Sequence, residues 1–511
     1  MVGVVTLPET LLKNVKNRIL PQWKACFWAA IIVGLLTHFY KITNWLPNWD
    51  SLVFRYDRQN MLSMGRWFLP VVSAVSSFYD LPWVAGLMAI VFHALGALCI
   101  CKMLGIQKKA TAIFVGAAVA AFPTVTSVMM YNYVADAYAL SFLLACAAAL
   151  LLTAEKPKIL PSLLCIALSV GIYQAYITVT VTLLLTWLIV KTMQNETTVK
   201  EILLKSGIFL LTGALGMALY YLVLTVLLKI TGTALLSYQG FDSAASLSGI
   251  DIFGALYTIR ESFLSYYFDF TEGVSFFGIL NAVIFLLTLA FYLTDVIRKK
   301  LGVAKFLVLC VLVVLLPIGA SILSFVNSGV DYHNLMKLGF IAFYLLFFLQ
   351  YENGSAWKLW TILLLTTLLV FYYGLVANIS YHKLNLSYEK SYGTLLRVAD
   401  RLEQTEGAAD CDRILILGAL ADSEAYSSNL PPDMTGTTDG YILRADDEMV
   451  GQSVFCSALN DYCGKDYTFL AGAEKAALLE TVDADKMGIW PEKDSICVQD
   501  NVIVLKLGEV D

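Results

Sequence analysis

Residues 160–191 read LPSLLCIALSVGIYQAYITVTVTLLLTWLIVK, an apolar stretch interrupted near its middle by Tyr173 and Gln174. A transmembrane helix needs about 20 apolar residues, with a range of roughly 17–25. A single tilted helix over this stretch would be long, whereas two short helices that meet at the polar pair fit better. Non-helical backbone at membrane depth is tolerated only where it is buried in protein or faces water. The stretch therefore predicts two spans joined by a protected break.

The composition of the whole chain is that of a membrane protein. The chain has 511 residues, 58% hydrophobic and 15% charged, with a mean hydropathy of +0.70. Soluble domains carry roughly 45–50% apolar and about 25% charged residues. We therefore predict an all-α polytopic membrane protein with about eleven transmembrane helices. The apolar runs lie near residues 25–43, 82–102, 110–129, 135–153, 160–174, 176–191, 203–229, 274–297, 305–326, 335–350 and 358–378.

Lysine and arginine residues between the runs predict the orientation, because cytoplasmic loops are enriched in them. With the N-terminus inside, the basic clusters that fall inside lie at residues 102–109, 156–158, 191–205 and 298–305. A single span over 160–191 would place the last cluster outside, which supports the two-helix interpretation. The loop over residues 44–81 is then extracytoplasmic. No cleavable signal peptide is evident, so the first run is expected to remain as a span.

The chain becomes more polar towards its C-terminus. We predict a transmembrane domain over residues 1–379 and a small extracytoplasmic α/β domain over residues 380–511, with strands at 413–418 and 501–506. Its cysteines are Cys411, Cys456, Cys463 and Cys497. In an oxidising compartment they predict one or two disulfides, and four free thiols are the equal alternative. The net charge of -5 argues against nucleic acid as a partner.

The loop between the first two spans concentrates charge in an otherwise apolar chain. Asp50 and Asp57 are candidate general bases, because an ionised carboxylate can take a proton from an attacking hydroxyl. Nearby arginines would keep such a carboxylate ionised. The alternative is that both aspartates are helix caps or solvated loop residues.

Three arginines of the same loop, Arg55, Arg58 and Arg66, depart from the enrichment of positive charge inside. One guanidinium donates hydrogen bonds to two phosphate oxygens at once and keeps its charge. These residues therefore predict a phosphate-binding site. Alternatively, Arg66 could extend from a span end towards water. The loop could also be an amphipathic helix that lies on the membrane surface.

Asp136 begins a predicted span and is a further candidate catalytic carboxylate. Beside Asp50 it could hold hydroxyls of a bound molecule or a divalent cation. The carboxylates are too dispersed in sequence for their spacing to indicate a metal, so the metal requirement stays open. An acidic residue at a helix N-terminus is also stabilised by the helix dipole, which alone would explain Asp136.

Five further polar residues are candidate sugar ligands. Tyr173, Gln174 and Tyr176 lie at apparent membrane depth, where a buried amide needs a hydrogen-bond partner. Sugar hydroxyls or a neighbouring helix would each supply one. Asp331 and His333 lie in an outer turn, where a lone histidine is more often structural than catalytic.

Several motifs resemble one known family when taken together. They are Asn48-Trp49-Asp50, Gln59-Asn60-Met61, Ser63-x-Gly65-Arg66-Trp67-Phe68, Ser76-Ser77-x-x-Asp80-Leu81-Pro82-Trp83, Ala135-Asp136-Ala137-Tyr138-Ala139-Leu140 and Gly171-Ile172-Tyr173-Gln174-Ala175-Tyr176. The chain resembles the bacterial glucosyltransferase type II family, related to O-antigen glucosylation enzymes within the type-C glycosyltransferase fold. The resemblance covers roughly residues 20–380 and is densest before residue 180.

This resemblance implies a membrane enzyme with a polyprenyl-phosphate-linked hexose, expected to be glucose, as donor. The acceptor would be a cell-surface glycan or its lipid-linked precursor, and transfer would occur outside the bacterial cell membrane with inversion. The family's acidic residue of the first loop corresponds to Asp50, and the spacing of Asp57 differs from an adjacent acidic pair. The resemblance implies no nucleotide sugar.

Two alternative functions stay open for this chain. A transporter or flippase of lipid-linked sugars would place its binding groups near the midplane, often with inverted repeats. Here the charged candidates lie at one face and no internal repeat is evident. A glycan polymerase or ligase with a diphosphate donor is the second alternative, and only donor competition separates it from a monophosphate-dependent transferase.

Overall fold

The computed structural model describes residues 19–54, 56–74, 76–194, 197–236, 251–268, 275–329, 332–421, 443–445 and 450–509. Its α-helices are α1 (Pro21–Thr43), α2 (Trp49–Val53), α3 (Leu69–Val72), α4 (Ser76–Tyr79), α5 (Pro82–Met103), α6 (Lys109–Ala121), α7 (Pro123–Met130), α8 (Ala135–Leu152), α9 (Ile159–Ile172), α10 (Ile177–Thr192), α11 (Val199–Thr231), α12 (Ile252–Phe268), α13 (Phe276–Arg298), α14 (Val303–Ala320), α15 (Ile341–Leu349), α16 (Ala356–Gln404), α17 (Gly451–Cys463) and α18 (Gly472–Leu479). Its strands are β1 (Arg413–Leu417), β2 (Thr468–Phe469), β3 (Ile496–Gln499) and β4 (Val502–Lys506). Short 3-10 helices lie at Leu62–Met64, Asn132–Val134, Gln174–Tyr176, Ile322–Phe325, Asn334–Met336, Leu338–Phe340, Ala408–Asp410, Ala484–Lys486 and Lys493–Ser495.

The helices confirm a polytopic membrane protein. Among the described residues, nine helices are long and apolar enough to cross a membrane. Two further apolar helices, Ile159–Ile172 and Leu338–Leu349, are shorter. Together these helices lie at the positions of the predicted apolar runs. The predicted fold class, a helical membrane protein with a small α/β portion near the C-terminus, is therefore confirmed.

The stretch over residues 160–191 forms two helices, as predicted. α9 ends at Ile172, Tyr173 has extended backbone angles of -154° and 118°, and α10 begins after a 3-10 turn. Tyr173, Gln174 and Tyr176 are 2%, 6% and 2% exposed. The break is therefore buried within protein, which is the condition under which irregular backbone is stable at membrane depth.

The first helices pack in a continuous series. α1 packs on α5 and α6, α5 on α8, α8 on α9, and α9 on α11. A Cβ atom added at Gly116 would lie 2.3 Å from the carbonyl oxygen of Cys26, so the backbones of α6 and α1 come into direct contact. Small residues allow this close approach, which is a common means of packing helices in membranes.

The chain divides into two compact units. The first comprises Met1–Asn44 and Tyr56–Ala377, and the second comprises Trp45–Arg55 and Asn378–Asp511. The apolar runs predict a single loop over residues 44–81, but the structure separates the first part of that loop from the rest. Leu52 and Val53 of α2 pack against the hydrophobic core of the second unit, because their apolar side chains find partners there.

The second unit contains a four-stranded sheet in the order β2-β1-β4-β3. β1 is parallel to β2 and β4, and β3 is antiparallel to β4. Successive side chains of a strand point to opposite faces. Accordingly Ile414 and Ile416 belong to a core with residues of α16 and α17, whereas Leu415 and Leu417 belong to another with residues of α18. The four cysteines of this unit are free thiols.

Candidate functional site

Arg66 is held by aromatic and polar contacts in the first unit. Its Nη1 donates a hydrogen bond to the Tyr138 hydroxyl at 3.0 Å and lies 3.2 Å from the sulfur of Met61. Its guanidinium carbon lies 4.7 Å from the centre of the Tyr173 ring, and that ring stacks on Tyr138 at 4.4 Å. A cation over an aromatic face is attracted by the ring quadrupole. These contacts orient a guanidinium fork whose geometry matches phosphate oxygens.

The backbone before Arg66 forms a tight turn. A 3-10 helix over Leu62–Met64 ends at Gly65, which has a φ of 77°. The Arg66 amide donates to the carbonyl of Met61 at 3.1 Å and closes the turn. Glycine adopts this left-handed conformation without the steric cost that a Cβ atom brings. The glycine thus allows the chain to direct Arg66 towards Tyr138 and Tyr173.

Gln174 and Tyr220 attach this turn to the helices. Gln174 Nε2 donates to the carbonyl of Met64 at 2.8 Å, and the Tyr220 hydroxyl donates to the carbonyl of Gly65 at 2.9 Å. Gln174 Nε2 also lies 3.3 Å from the Tyr220 hydroxyl. Neighbouring segments of the same chain therefore supply the hydrogen-bond partners that the buried amide of Gln174 requires. The structure places Gln174 under the turn as a support, and its predicted contact with sugar stays a prediction.

The other two aromatic residues predicted as sugar ligands are buried beside the same turn. Tyr173 contacts both Arg66 and Tyr138, and Tyr176 meets Tyr173 edge-to-face at 5.9 Å. The Tyr176 hydroxyl has no hydrogen-bond partner among the described residues. Both rings position Arg66 directly or through a neighbour, and a direct contact of either with sugar stays a prediction.

Asp136 is a buried carboxylate at the start of α8, 3% exposed. Its Oδ2 accepts a hydrogen bond from Ser76 Oγ at 2.5 Å, and its Oδ1 accepts from the amide of Ala137 at 2.9 Å. A second buried carboxylate, Asp80, accepts from Asn132 Nδ2 at 2.7 Å. Two hydrogen bonds, each with one aspartate as acceptor, therefore join residues 76–80 to residues 132–136.

Three further predicted residues of the first unit have exposed side chains. Asp57, Arg58 and His333 are exposed, and no hydrogen bond or ion pair joins their side chains to another described residue. The backbone carbonyl of Arg58 lies 3.3 Å from Ser73 Oγ, whose hydroxyl donates to the closer carbonyl of Leu69 at 2.7 Å. The structure does not bring these three side chains together with Arg66, and their roles stay predictions.

Asp50 belongs to the second unit. It lies half-buried in the first turn of α2, a helix capped by Asn48, whose side-chain oxygen accepts from the amide of Ser51 at 2.9 Å. An acidic residue in a first turn is favourable for the helix dipole.

Arg55 and Asp331 lie outside the described residues. Among the residues that are described, no three His, Cys, Asp or Glu side chains cluster as a metal site would require.

Sequence reasoning missed the residues that hold the site together. Tyr138 and Asp80 occur within the motifs quoted above, but nothing in a motif says which residues they contact. Tyr220 lies in the middle of a long apolar helix and carries no local signal. The only general indication would have been that a buried tyrosine hydroxyl needs a hydrogen-bond partner.

The comparison with protein families decides the assignment. The model of the family described as "Glucosyl transferase GtrII" matches residues 39–349, more than half of the chain. The protein belongs to this family. It is therefore a glucosyltransferase-family membrane protein, and the matched residues include the Arg66 turn, Gln174, Tyr220 and both buried aspartates. The comparisons with curated proteins and with solved structures gave no match.

Proposed function

We propose that this member of the family transfers a hexose, expected to be glucose, from a polyprenyl-phosphate donor to a cell-surface glycan. The reaction takes place on the extracytoplasmic side of a bacterial cell membrane, with the N-terminus in the cytoplasm and the residues from 380 onwards outside. The bilayer holds the isoprenoid chain of the donor. The observation that carries the proposal is the fixed guanidinium of Arg66 in a chain of this family.

Arg66 fits the role of the phosphate ligand. The phosphate of the donor carries negative charge that grows on the leaving oxygen as the glycosidic bond breaks. A guanidinium held in place before the reaction stabilises that charge without reorganising. Arg58 and Arg55 are proposed as secondary phosphate ligands on the basis of their position in the same loop.

The transfer step is an inverting displacement. An aspartate carboxylate takes the proton of an acceptor hydroxyl while its oxygen forms a bond to the anomeric carbon. The bond from that carbon to the phosphate oxygen breaks, and its electron pair leaves with polyprenyl phosphate. Asp50, Asp57 and Asp136 are the candidate bases. Asp136 is the most enclosed of the three, since it is 3% exposed and bonded to Ser76.

The test is transfer of labelled glucose from synthetic polyprenyl-phosphate glucose by purified protein in lipid nanodiscs. Asp50→Asn, Asp57→Asn and Asp136→Asn are compared in the same assay. Loss of the base is expected to lower kcat by about 100-fold or more, because general base catalysis contributes roughly that much. If all three variants turn over at the wild-type rate, the aspartate mechanism is wrong.

The same preparation separates transferase from transporter. The liposomes carry acceptor glycan on the side that the extracytoplasmic face of the protein contacts. A transferase forms glycosidic bonds when the donor is in the leaflet on that same side. Movement of the lipid-linked sugar across the bilayer without any new glycosidic bond would instead assign a flippase. Competition by polyprenyl diphosphate, rather than monophosphate, would point to a diphosphate donor.

A further inference from the structure

Residues 76–80 and 132–136 of the first unit are joined by two hydrogen bonds that mirror each other. Ser76 donates to Asp136 at 2.5 Å, and Asn132 donates to Asp80 at 2.7 Å. Each segment therefore supplies one carboxylate and one neutral donor. The four side chains are all 5% exposed or less, so both hydrogen bonds are shielded from water.

Asp80 is the energetically costly member of this arrangement. It has a φ of 47°, a conformation that residues with a Cβ atom adopt rarely, although aspartate tolerates it better than most. Its carboxylate is 5% exposed, and Lys41, 1% exposed, attracts it electrostatically. Well-packed apolar side chains could join two segments without burying two charges. Buried ionisable groups in membrane proteins are characteristic of functional sites.

Asp80 lies where it can act on the reaction indirectly. Asn132 begins the 3-10 turn that leads into Asp136, and Asp80 follows the short helix that begins with Ser76. The Asn132–Asp80 hydrogen bond therefore joins the two segments at one end, and the Ser76–Asp136 hydrogen bond joins them at the other. A carboxylate used as a base must be held close to its working geometry, since small displacements reduce the rate strongly.

We propose that Asp80 is a positioning residue for the transfer reaction, which it serves by holding Asn132 and thereby aligning Asp136. The proposal rests on the proposed function, with Asp136 as the base. Asp80 itself contacts neither donor nor acceptor in this role. Lys41 balances its charge, so that the pairing persists within the protein.

The experiment uses the purified full-length protein in nanodiscs and measures kcat and the KM for polyprenyl-phosphate glucose. The variants are Asp80→Asn, Asn132→Asp and the double exchange of both. Asp80→Asn removes the charge that strengthens this hydrogen bond, and Asn132→Asp sets two carboxylates against each other. The double exchange restores one carboxylate and one amide across the same two positions. We expect each single variant to lose about tenfold or more in kcat with KM unchanged, and the double variant to recover most of it.

Ser141→Ala is the matched control. Ser141 of α8 and Ser169 of α9 also bond reciprocally, each hydroxyl donating to the other residue's carbonyl at 2.8 Å. This control should lose some thermal stability and keep kcat. Asp80 variants that lose stability like the control but keep kcat would overturn the positioning role, because the pairing would then be structural only.

The result for the wild-type protein separates the two proposals. If the wild-type protein transfers glucose and the single variants match its kcat, the positioning role alone is overturned. If the wild-type protein forms no glycosidic bond from polyprenyl-phosphate glucose, the proposed function falls, and the role of Asp80 falls with it. Recovery of kcat in the double variant supports both.

Discussion

At the scale of single residues, Arg66 differs from Arg58 of the same loop by its surroundings. Arg58 is exposed, whereas Arg66 is half-buried and bonded to Tyr138. Arg66→Lys keeps the charge but loses the planar fork that donates to two oxygens at once. We expect kcat for glucose transfer to fall by about 100-fold, as when a single donor to a developing negative charge is removed.

The control for this variant is Arg260→Lys. Arg260 is exposed and pairs with its neighbour Glu261 at 2.6 Å, so its replacement should leave both folding and transfer unchanged. Steady-state kinetics on the two purified variants provides the comparison. Equal activity of the Arg66 and Arg260 variants would contradict the phosphate-binding role.

Tyr220 supports the Arg66 turn through a single hydroxyl. Tyr220→Phe leaves the Gly65 carbonyl without that donor, and an unsatisfied buried polar group costs about 1–3 kcal/mol. We expect a lower thermal unfolding temperature and reduced transfer, because the turn that carries Arg66 becomes less well held. Tyr221→Phe on the same helix is the matched control, and similar losses in both variants would show that the hydroxyl of Tyr220 has no special role.

At the scale of secondary structure elements, the break between α9 and α10 could be predicted and its purpose could not. The 32-residue length of the apolar stretch and the polar pair at its middle indicated two helices. The partners of Gln174 lie 110 and 46 residues away in sequence, at Met64 and Tyr220. No local pattern contains such distant pairings, so the supporting role of Gln174 emerged only from the fold.

Helix α17 packs Cys456 against the sheet, where it is 2% exposed. Burial raises the pKa of this thiol from 9.0 to about 12. An unfolded chain releases the thiol proton near pH 9, whereas the folded chain retains it until about pH 12. The thiol therefore contributes fully to stability below pH 9, and its contribution falls as the pH rises from 9 to 12.

We expect Cys456→Ser to reduce this alkaline loss of stability. The slope contributed by one such group is at most about 1.4 kcal/mol for each pH unit. The measurement is the thermal unfolding temperature of the full-length protein between pH 8 and 11, with the exposed Cys310→Ser as control. Parallel pH curves for wild-type protein and the Cys456 variant would contradict the assignment.

At the scale of the whole molecule, the distribution of lysine and arginine predicts which loops face outward. In a cysteine-free background, His333→Cys should react with a membrane-impermeant maleimide on intact cells. Lys156→Cys, exposed in the loop between α8 and α9, should react only after permeabilisation. The reverse pattern would place the Arg66 turn on the cytoplasmic side and rule out extracytoplasmic transfer.

Local sequence patterns were sufficient to predict the membrane class, the positions of the apolar helices, the break near Tyr173 and the strands at 413–418 and 501–506. These features follow from local composition and periodicity, because lipid requires long apolar helices and a strand alternates its side chains within a few residues. Which charges are buried, and what they contact, could not be predicted from such local patterns and became known from the folded chain. Arg66, Asp80 and Asp136 acquired their partners across 52 to 72 residues of chain, and burial of a charge depends on such distant neighbours.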